Sequence, residues 1–266
     1  MGLKIMVSIA QANTEPWLSI WKDGQAKTWM ESNDPNLTIV NFQSKKTPWF
    51  ISQIDKYSER YRYHSRYGKA VSYFTKIWTY FLKNKIPKFL YNKQTNVLNV
   101  DCWSTYILSN RRNLSLFKYF LTTECNFLFQ TVTSSYLYHS NLRSILDGVN
   151  FNQYYYAGYV ENNVNRKFAA GSGKVLSRAT IELIVKNYKT YPHDNLEDIA
   201  LGDFLNRFGI EPIHLPRVEI GSLEDLGEIT DKELENNFLF RCKTQTFPRT
   251  DVLVMKALHE RIIKIK

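Results

Sequence analysis

The sequence is poor in the signals that would take it out of the ordinary folded class. Only three cysteines, Cys102, Cys125 and Cys242, stand among 266 residues, far apart and with no CxxC pair. An odd, scattered set of this kind excludes a disulfide framework and fits a reducing compartment. Long apolar runs are missing too. The opening one breaks at Gln11 and Asn13, short of a signal peptide or a membrane span, and no later run crosses a bilayer. There is no Walker loop, no HExxH and no GxSxG. The five histidines, His64, His139, His193, His214 and His259, show no ligand spacing, which predicts no histidine metal site. Neither an internal repeat nor a low-complexity segment is present.

What the chain does have is apolar mass and an uneven charge. Its 44% hydrophobic content, with 6 Trp, 17 Tyr and 16 Phe, suffices for one packed domain and argues against disorder. Residues 1–150 carry 19 Lys and Arg against 9 Asp and Glu, while residues 151–266 carry 16 of each, so the net charge of +10 lies in the first part. Lys56 to Lys93 holds ten basic residues and one acid, Glu59. Such a run suits a polyanion, nucleic acid first, and equally a solvated basic face.

The pattern predicts alternating strands and helices. Leu3 to Ala10 reads as a buried first strand ending in polar Gln11-Ala12-Asn13, and Asn36 to Phe42 as a second, with a helix over Trp21 to Glu31 between them. Arg66 to Asn84 predicts an amphipathic basic helix. Strands are expected at Asn96 to Trp103, Cys125 to Val132 and Asn152 to Val160, and a helix over about Thr105 to Thr122. The Tyr154-Tyr155-Tyr156 run on the last of those strands suits either a buried face or stacking on a base or sugar. Phe168 to Asn187 reads as a glycine-rich turn into a helix, and Asn195 to Gly209 as another helix. Gly221 to Glu235 is acidic and expected to be loop, Asn237 to Lys243 a strand, and Arg249 to Ile263 a terminal helix.

Four segments in this order resemble the fringe and β-1,3-galactosyltransferase family, over roughly residues 1–245. Gln25 to Trp29, "QAKTW", resembles the family's short helix ending in Thr-Trp, and Cys125 to Leu146 aligns without a gap on its aspartate-triplet strand and following helix. Phe168 to Ser177, "FAAGSGKVLS", resembles the family's Ser-Gly-Gly-Gly-Tyr-Val-Leu-Ser turn, and Pro192 to Leu205 its Glu-Asp-Val segment and apolar helix. The resemblance implies a single α/β domain of GT-A type: a mixed, Rossmann-like sheet flanked by helices. Its nucleotide-binding half would be 1–125, with a basic helical insertion at about 56–93, and its acceptor half 126–266. It also implies sugar transfer from a nucleotide sugar, most simply a UDP-sugar, with Asp198 as general base and Glu197 beside it. Taken alone, both acids equally suit a helix first turn.

On the same alignment the triplet that holds the family's divalent cation falls on Val132, Thr133 and Ser134, and no histidine stands near Phe238 to Phe240, where the family has its late ligand. The expectation is a metal-independent, inverting transferase without cofactor, or a non-catalytic relative that binds a nucleotide sugar or nucleic acid. Fixed cations would then take the ion's place. Arg111 and Arg112 are the first choice, with Lys69 and Arg241 as further ones, since an arginine fork takes two phosphate oxygens. The donor is expected along Ala10, Gln11, Asn13, Thr133, Ser134, Ser135, Gly171, Ser172 and Gly173, with close backbone approach at Gly171 and Gly173. The acceptor is expected to be a hydroxymethylated base of double-stranded DNA, with Arg66, Lys69 and Lys76 on the phosphates, or a surface glycan or protein side chain. Reducing-type cysteines and the lack of a span place the chain in the cytoplasm, the host's if it is viral; the pattern sets no oligomeric state.

Overall fold

The computed structural model describes residues 2–11, 14–31, 34–53, 85–105, 108–163, 166–193, 195–245 and 248–265. The expected basic helix from Arg66 to Asn84, with Arg66, Lys69 and Lys76, lies outside these residues, as does Asn13.

The sheet is built on four parallel strands, β1 (Ile5–Ala10), β2 (Leu37–Lys45), β4 (Val97–Trp103) and β5 (Phe127–Val132). β3 (Phe89–Asn92) runs antiparallel along β4. On the other side β8 (Arg166–Ser177) runs antiparallel to β5, β7 (Tyr156–Asn163) antiparallel to β8, and the short β9 (Ile213–His214) completes the order β3-β4-β2-β1-β5-β8-β7-β9. A three-stranded sheet, β10 (Val218–Glu219), β11 (Leu239–Arg241) and β6 (Ser135–Leu137), stands beside it.

Both faces of the large sheet are covered, which is why its central strands β1 and β5 read as near-continuous apolar runs. Ile5, Val7, Ile9, Phe127, Phe129 and Val175 pack on one side against α3 (His139–Leu146) and the terminal α8 (Asp251–Ile265). Met6, Val40, Phe42, Leu128 and Leu176 pack on the other against α2 (Ser109–Phe120), α4 (Arg178–Lys186) and α5 (Glu197–Asn206). The α/β class, a mixed sheet flanked by helices, is therefore as expected. No helix among the described residues is long and apolar enough to cross a membrane.

Three local expectations are corrected. The helix after β1 is broken into a short α1 (Trp17–Ser19), a π turn (Ile20–Gln25) and a 3-10 turn (Trp29–Glu31). Here Gln25 turns inward, its Nε2 donating to the carbonyls of Val132 (3.0 Å) and Ser135 (2.8 Å). The acidic segment expected as loop forms α6 (Leu223–Glu228) and α7 (Asp231–Asn236), each started by a side-chain cap, Ser222 and Thr230, with Leu226 and Leu234 as buried anchors. The glycine-rich "turn" is not a turn: Phe168 to Ser177 lies wholly within β8.

Candidate active site

Parallel strands deliver their C-terminal ends to one edge, at Ala10, Lys45, Trp103 and Val132, and such an edge is where open α/β sheets bind ligands. Ala10 is partly exposed there, and Gln11 is buried, its N–H donating to the Phe42 carbonyl (3.0 Å) and its side-chain carbonyl accepting from Gln43. Just beyond β5, Thr133, Ser134 and Ser135 are all buried. The segment is fastened from three sides: by Gln25, by the Trp29 Nε1, which donates to the Ser135 carbonyl (3.2 Å), and by the Cys242 N–H, which donates to the Ser134 carbonyl (2.8 Å). The "QAKTW" residues thus act as clamps on the loop after β5.

No carboxylate stands in that loop, and among the described residues no group of three or more His, Cys, Asp or Glu side chains could hold a metal ion. The donor set offered by Val132, Thr133 and Ser134 does not suit the hard cation that the resemblance would place here, since such an ion wants carboxylate oxygens.

Opposite the loop, β8 bulges. Its register with β7 passes from Gly158↔Lys174 to Val160↔Ala169, so that Ala170, Gly171, Ser172 and Gly173 face Tyr159 alone. Bulges of this kind re-aim side chains. Gly173 is needed inside the fold, because a Cβ there would lie 2.4 Å from Leu239 Cδ2 and 3.0 Å from the Phe129 ring. The Ser172 carbonyl is held by the hydroxyls of Thr131 (2.7 Å) and Ser135 (2.9 Å). Gly171 is different: a Cβ there would meet only Asp198 Oδ2 at 3.8 Å and Glu197 Oε2 at 3.9 Å, in ordinary contact.

The two acids open α5, whose first turn carries both. Gly202, one turn on, lets the helix lie flat on β8, since a Cβ there would come within 2.7 Å of Phe168 Cβ. That close approach brings the helix start to the bulge. The neighbours then part company. Glu197 Oε1 is bound by the Lys174 ammonium and by Asn113 Nδ2 (2.6 Å), and Asn113 in turn accepts from Gln130 Nε2 (2.9 Å). Lys174 is only 1% exposed, a depth that a lysine tolerates only when paired. Asp198 Oδ1 accepts from the N–H of Ile199 (3.0 Å), and its Oδ2, beside Gly171, makes no hydrogen bond among the described residues. Two nearby phenols, Tyr156 and Tyr191, stay protonated, held there first by burial and further by the charges of Glu197 and Asp198.

The cations divide into two groups. Arg111 and Arg112, at the start of α2, sit at the β2 and β4 end of the edge. Arg112 Nη1 donates to Ser44 Oγ (3.3 Å) and Ser104 Oγ (3.4 Å). Arg111 is buried, donates Nη2 to the Lys85 carbonyl (2.6 Å), and lines a cavity of about 390 Å³ with Lys45, Cys102 and Trp103. Burial draws its proton affinity below the ordinary value. These contacts tie both arginines to the segments around Lys85, Ser44 and Ser104. Arg217 and Arg241 instead reach the region of Ser135 and the glycine segment. Arg217 donates Nη1 to Ser172 Oγ, pairs through Nη2 with Glu219, and covers the Tyr159 ring at 4.1 Å. Arg241 stands opposite Ser135 in the antiparallel register of β11 and β6.

Sequence reasoning passed over Lys174 and Arg217. A lysine inside an otherwise small and apolar strand segment, Phe168 to Ser177, is a signal that an acid must wait for it. Arg217, between a proline and a two-residue strand, carries no such signal.

No family model matches the sequence, and no curated protein matches it. Among solved structures, crystal structures of the glycosyltransferase GlyE from Streptococcus pneumoniae TIGR4 superimpose on the chain with TM-scores of 0.44 and, for the apo form, 0.43, each at 10% identity. Each match covers 99% of this chain and 62% of the other, so the chain spans less than two thirds of those structures. A superposition at that level assigns no residue a role.

Proposed function

We propose that the chain is a nucleotide-sugar-dependent glycosyltransferase that moves a sugar, with inversion and without a metal ion, from a donor such as a UDP-sugar to an acceptor hydroxyl. One observation carries this reading. At the bulge of β8, Gly171 leaves a gap in front of the open Oδ2 of Asp198, and Ser172, the very next residue, is held by an arginine. The base and the anion-binding group thereby meet the strand at adjacent residues, Gly171 and Ser172, about 3.3 Å apart along it. In the reaction Asp198 Oδ2 takes the proton of the acceptor hydroxyl as its oxygen attacks the anomeric carbon. The bond from that carbon to the diphosphate oxygen breaks, and its electron pair leaves with the nucleoside diphosphate. Glu197, neutralised by Lys174, serves to fix the helix start that aims Asp198.

Ala10 and Gln11, at the end of β1, would face the nucleoside. The excess of base over acid in residues 1–150 favours a DNA acceptor carrying a hydroxymethyl base over a surface glycan. Incubation with UDP-sugars and acceptor in the presence of EDTA tests the reading. Transfer that persists with chelator and disappears in Asp198→Asn is the expected result. No turnover of any nucleotide sugar would instead leave a binding protein of the same fold.

A further inference from the structure

The small sheet has a face that the fold leaves with too many cations. Ser135, Glu219 and Arg241 are register partners across β6, β11 and β10, so their side chains share one face. The Ser135 hydroxyl on that face donates to the Ser172 carbonyl, which ties it to the bulge of β8. Arg217 approaches the same point, bonded to Ser172 Oγ and Glu219. Arg249 lies close enough to act on Arg241 electrostatically, and stacks over the Trp17 ring at 4.3 Å. Three guanidinium groups thus share the neighbourhood with two carboxylates, Glu219 and Asp251.

The pairing is uneven. Asp251 is fully buried and spent: Arg249 grips both of its oxygens, and Thr244 donates to it at 2.7 Å. Glu219 is spent on Arg217. Arg241 is partly exposed; its main-chain carbonyl accepts from the Ile220 N–H (2.9 Å), but its guanidinium makes no hydrogen bond or ion pair among the described residues. Burial, and next the charge of Arg217, draw its proton affinity below the ordinary value, with Glu219 opposing. An arginine left in that position lacks the anion that its surroundings call for. Ser172 supplies the second half of the arrangement, because a hydroxyl that accepts from Arg217 keeps its own proton to donate.

We infer that Arg241 and Ser172, with Arg217 holding Ser172 in place, form a binding site for a diphosphate. The inference rests on the proposed nucleotide-sugar reading for its biological ligand, and on the geometry alone for its anion. Arg241 would grip two phosphate oxygens through its fork, and Ser172 would donate to a third. The bound diphosphate then lies next to Gly171, across which Asp198 stands on the acceptor side.

Inorganic pyrophosphate is the probe, titrated calorimetrically into the full chain in EDTA at fixed ionic strength. Wild type is expected to bind it and to gain melting temperature with the logarithm of its concentration above the Kd. Arg241→Met is expected to weaken binding about tenfold to a hundredfold, the range for a charge-assisted hydrogen-bonded contact. Ser172→Ala should weaken it severalfold. If Arg241→Met proves unfolded by circular dichroism, Arg241→Lys, which keeps the charge and loses the fork, must still bind measurably weaker than wild type. Wild-type protein that ignores pyrophosphate, Arg241 variants that bind as wild type, or a loss confined to Arg111→Met would each overturn the site. Arg241-dependent pyrophosphate binding without transfer of any sugar would keep the site and sink the transferase reading. Transfer with no such dependence would do the reverse.

Discussion

The two flanks of the β8 bulge are built on opposite plans. On the helix side, a buried lysine meets a half-buried acid, an asparagine donates to the same oxygen, and a glutamine closes the chain, so the Lys174, Glu197, Asn113 and Gln130 cluster is balanced in charge. On the small-sheet side, Arg217 and Arg249 have used up the available carboxylates and Arg241 is left over. A balanced buried cluster fixes structure and offers a ligand little. An unbalanced one at the sheet edge stores attraction for an anion. The contrast also divides two sequence neighbours, Glu197 belonging to the first plan and Asp198, with its open Oδ2, to the site between them.

The sharpest way to break this contrast is to exchange the two acids' fates. On the proposed mechanism Asp198→Asn removes the proton acceptor and should cut transfer by about a hundredfold to ten-thousandfold, the range for general-base catalysis. Its stability should stay within about 0.5 kcal/mol of wild type, because no described partner loses a bond at Oδ2. Rates from steady-state kinetics and melting curves on the same preparation check both halves. Glu197→Gln should do the opposite in kind. It leaves the Lys174 ammonium, 1% exposed, without its counter-charge, at a cost of about 3–5 kcal/mol read by denaturant unfolding. A Glu197→Gln protein as stable as wild type, with transfer abolished, would mean that Glu197 and not Asp198 works as the base.

How far these features were legible depended on how local their causes are. β1 and β5 were readable as apolar runs because both faces of the sheet are covered, and β2 from its alternating, β-branched residues. Asp198 was named from the family resemblance, by its order after the glycine segment, and the structure places its Oδ2 beside Gly171. The glycine segment itself was misread as a turn, since glycine reports permissive backbone without saying why it is permitted. Here the reason for Gly173 is Leu239, some sixty residues on, pressing against the strand. Arg217 and Arg241 owe their meeting to β10 and β11, of two and three residues, too short to leave a periodic trace. Arg111 and Arg112 were chosen for the anion from the position of a Lys in the resembled family, while the structure ties them to the segments around Lys85, Ser44 and Ser104.

The two glycines separate the plans most finely. Gly173→Ala would drive a methyl to 2.4 Å from Leu239 Cδ2, and the Phe129 ring at 3.0 Å closes the other way out, so neither neighbour can yield without disturbing the core. Overpacking of this kind costs about 1–3 kcal/mol, and the melting temperature should fall accordingly. Gly171→Ala, two residues earlier on the same strand, puts its methyl at 3.8 and 3.9 Å from the two carboxylates, in ordinary contact, and the backbone there is not at positive φ. Its stability should therefore change by less than about 0.5 kcal/mol. Yet the methyl occupies the gap in front of Asp198 Oδ2, where the acceptor hydroxyl must arrive. A stable Gly171→Ala protein with a raised acceptor KM and an unchanged pyrophosphate affinity would show that the gap belongs to the acceptor and the arginine face to the anion. Equal loss of both would mean that the bulge serves a single undivided pocket, and that the two flanks are one site.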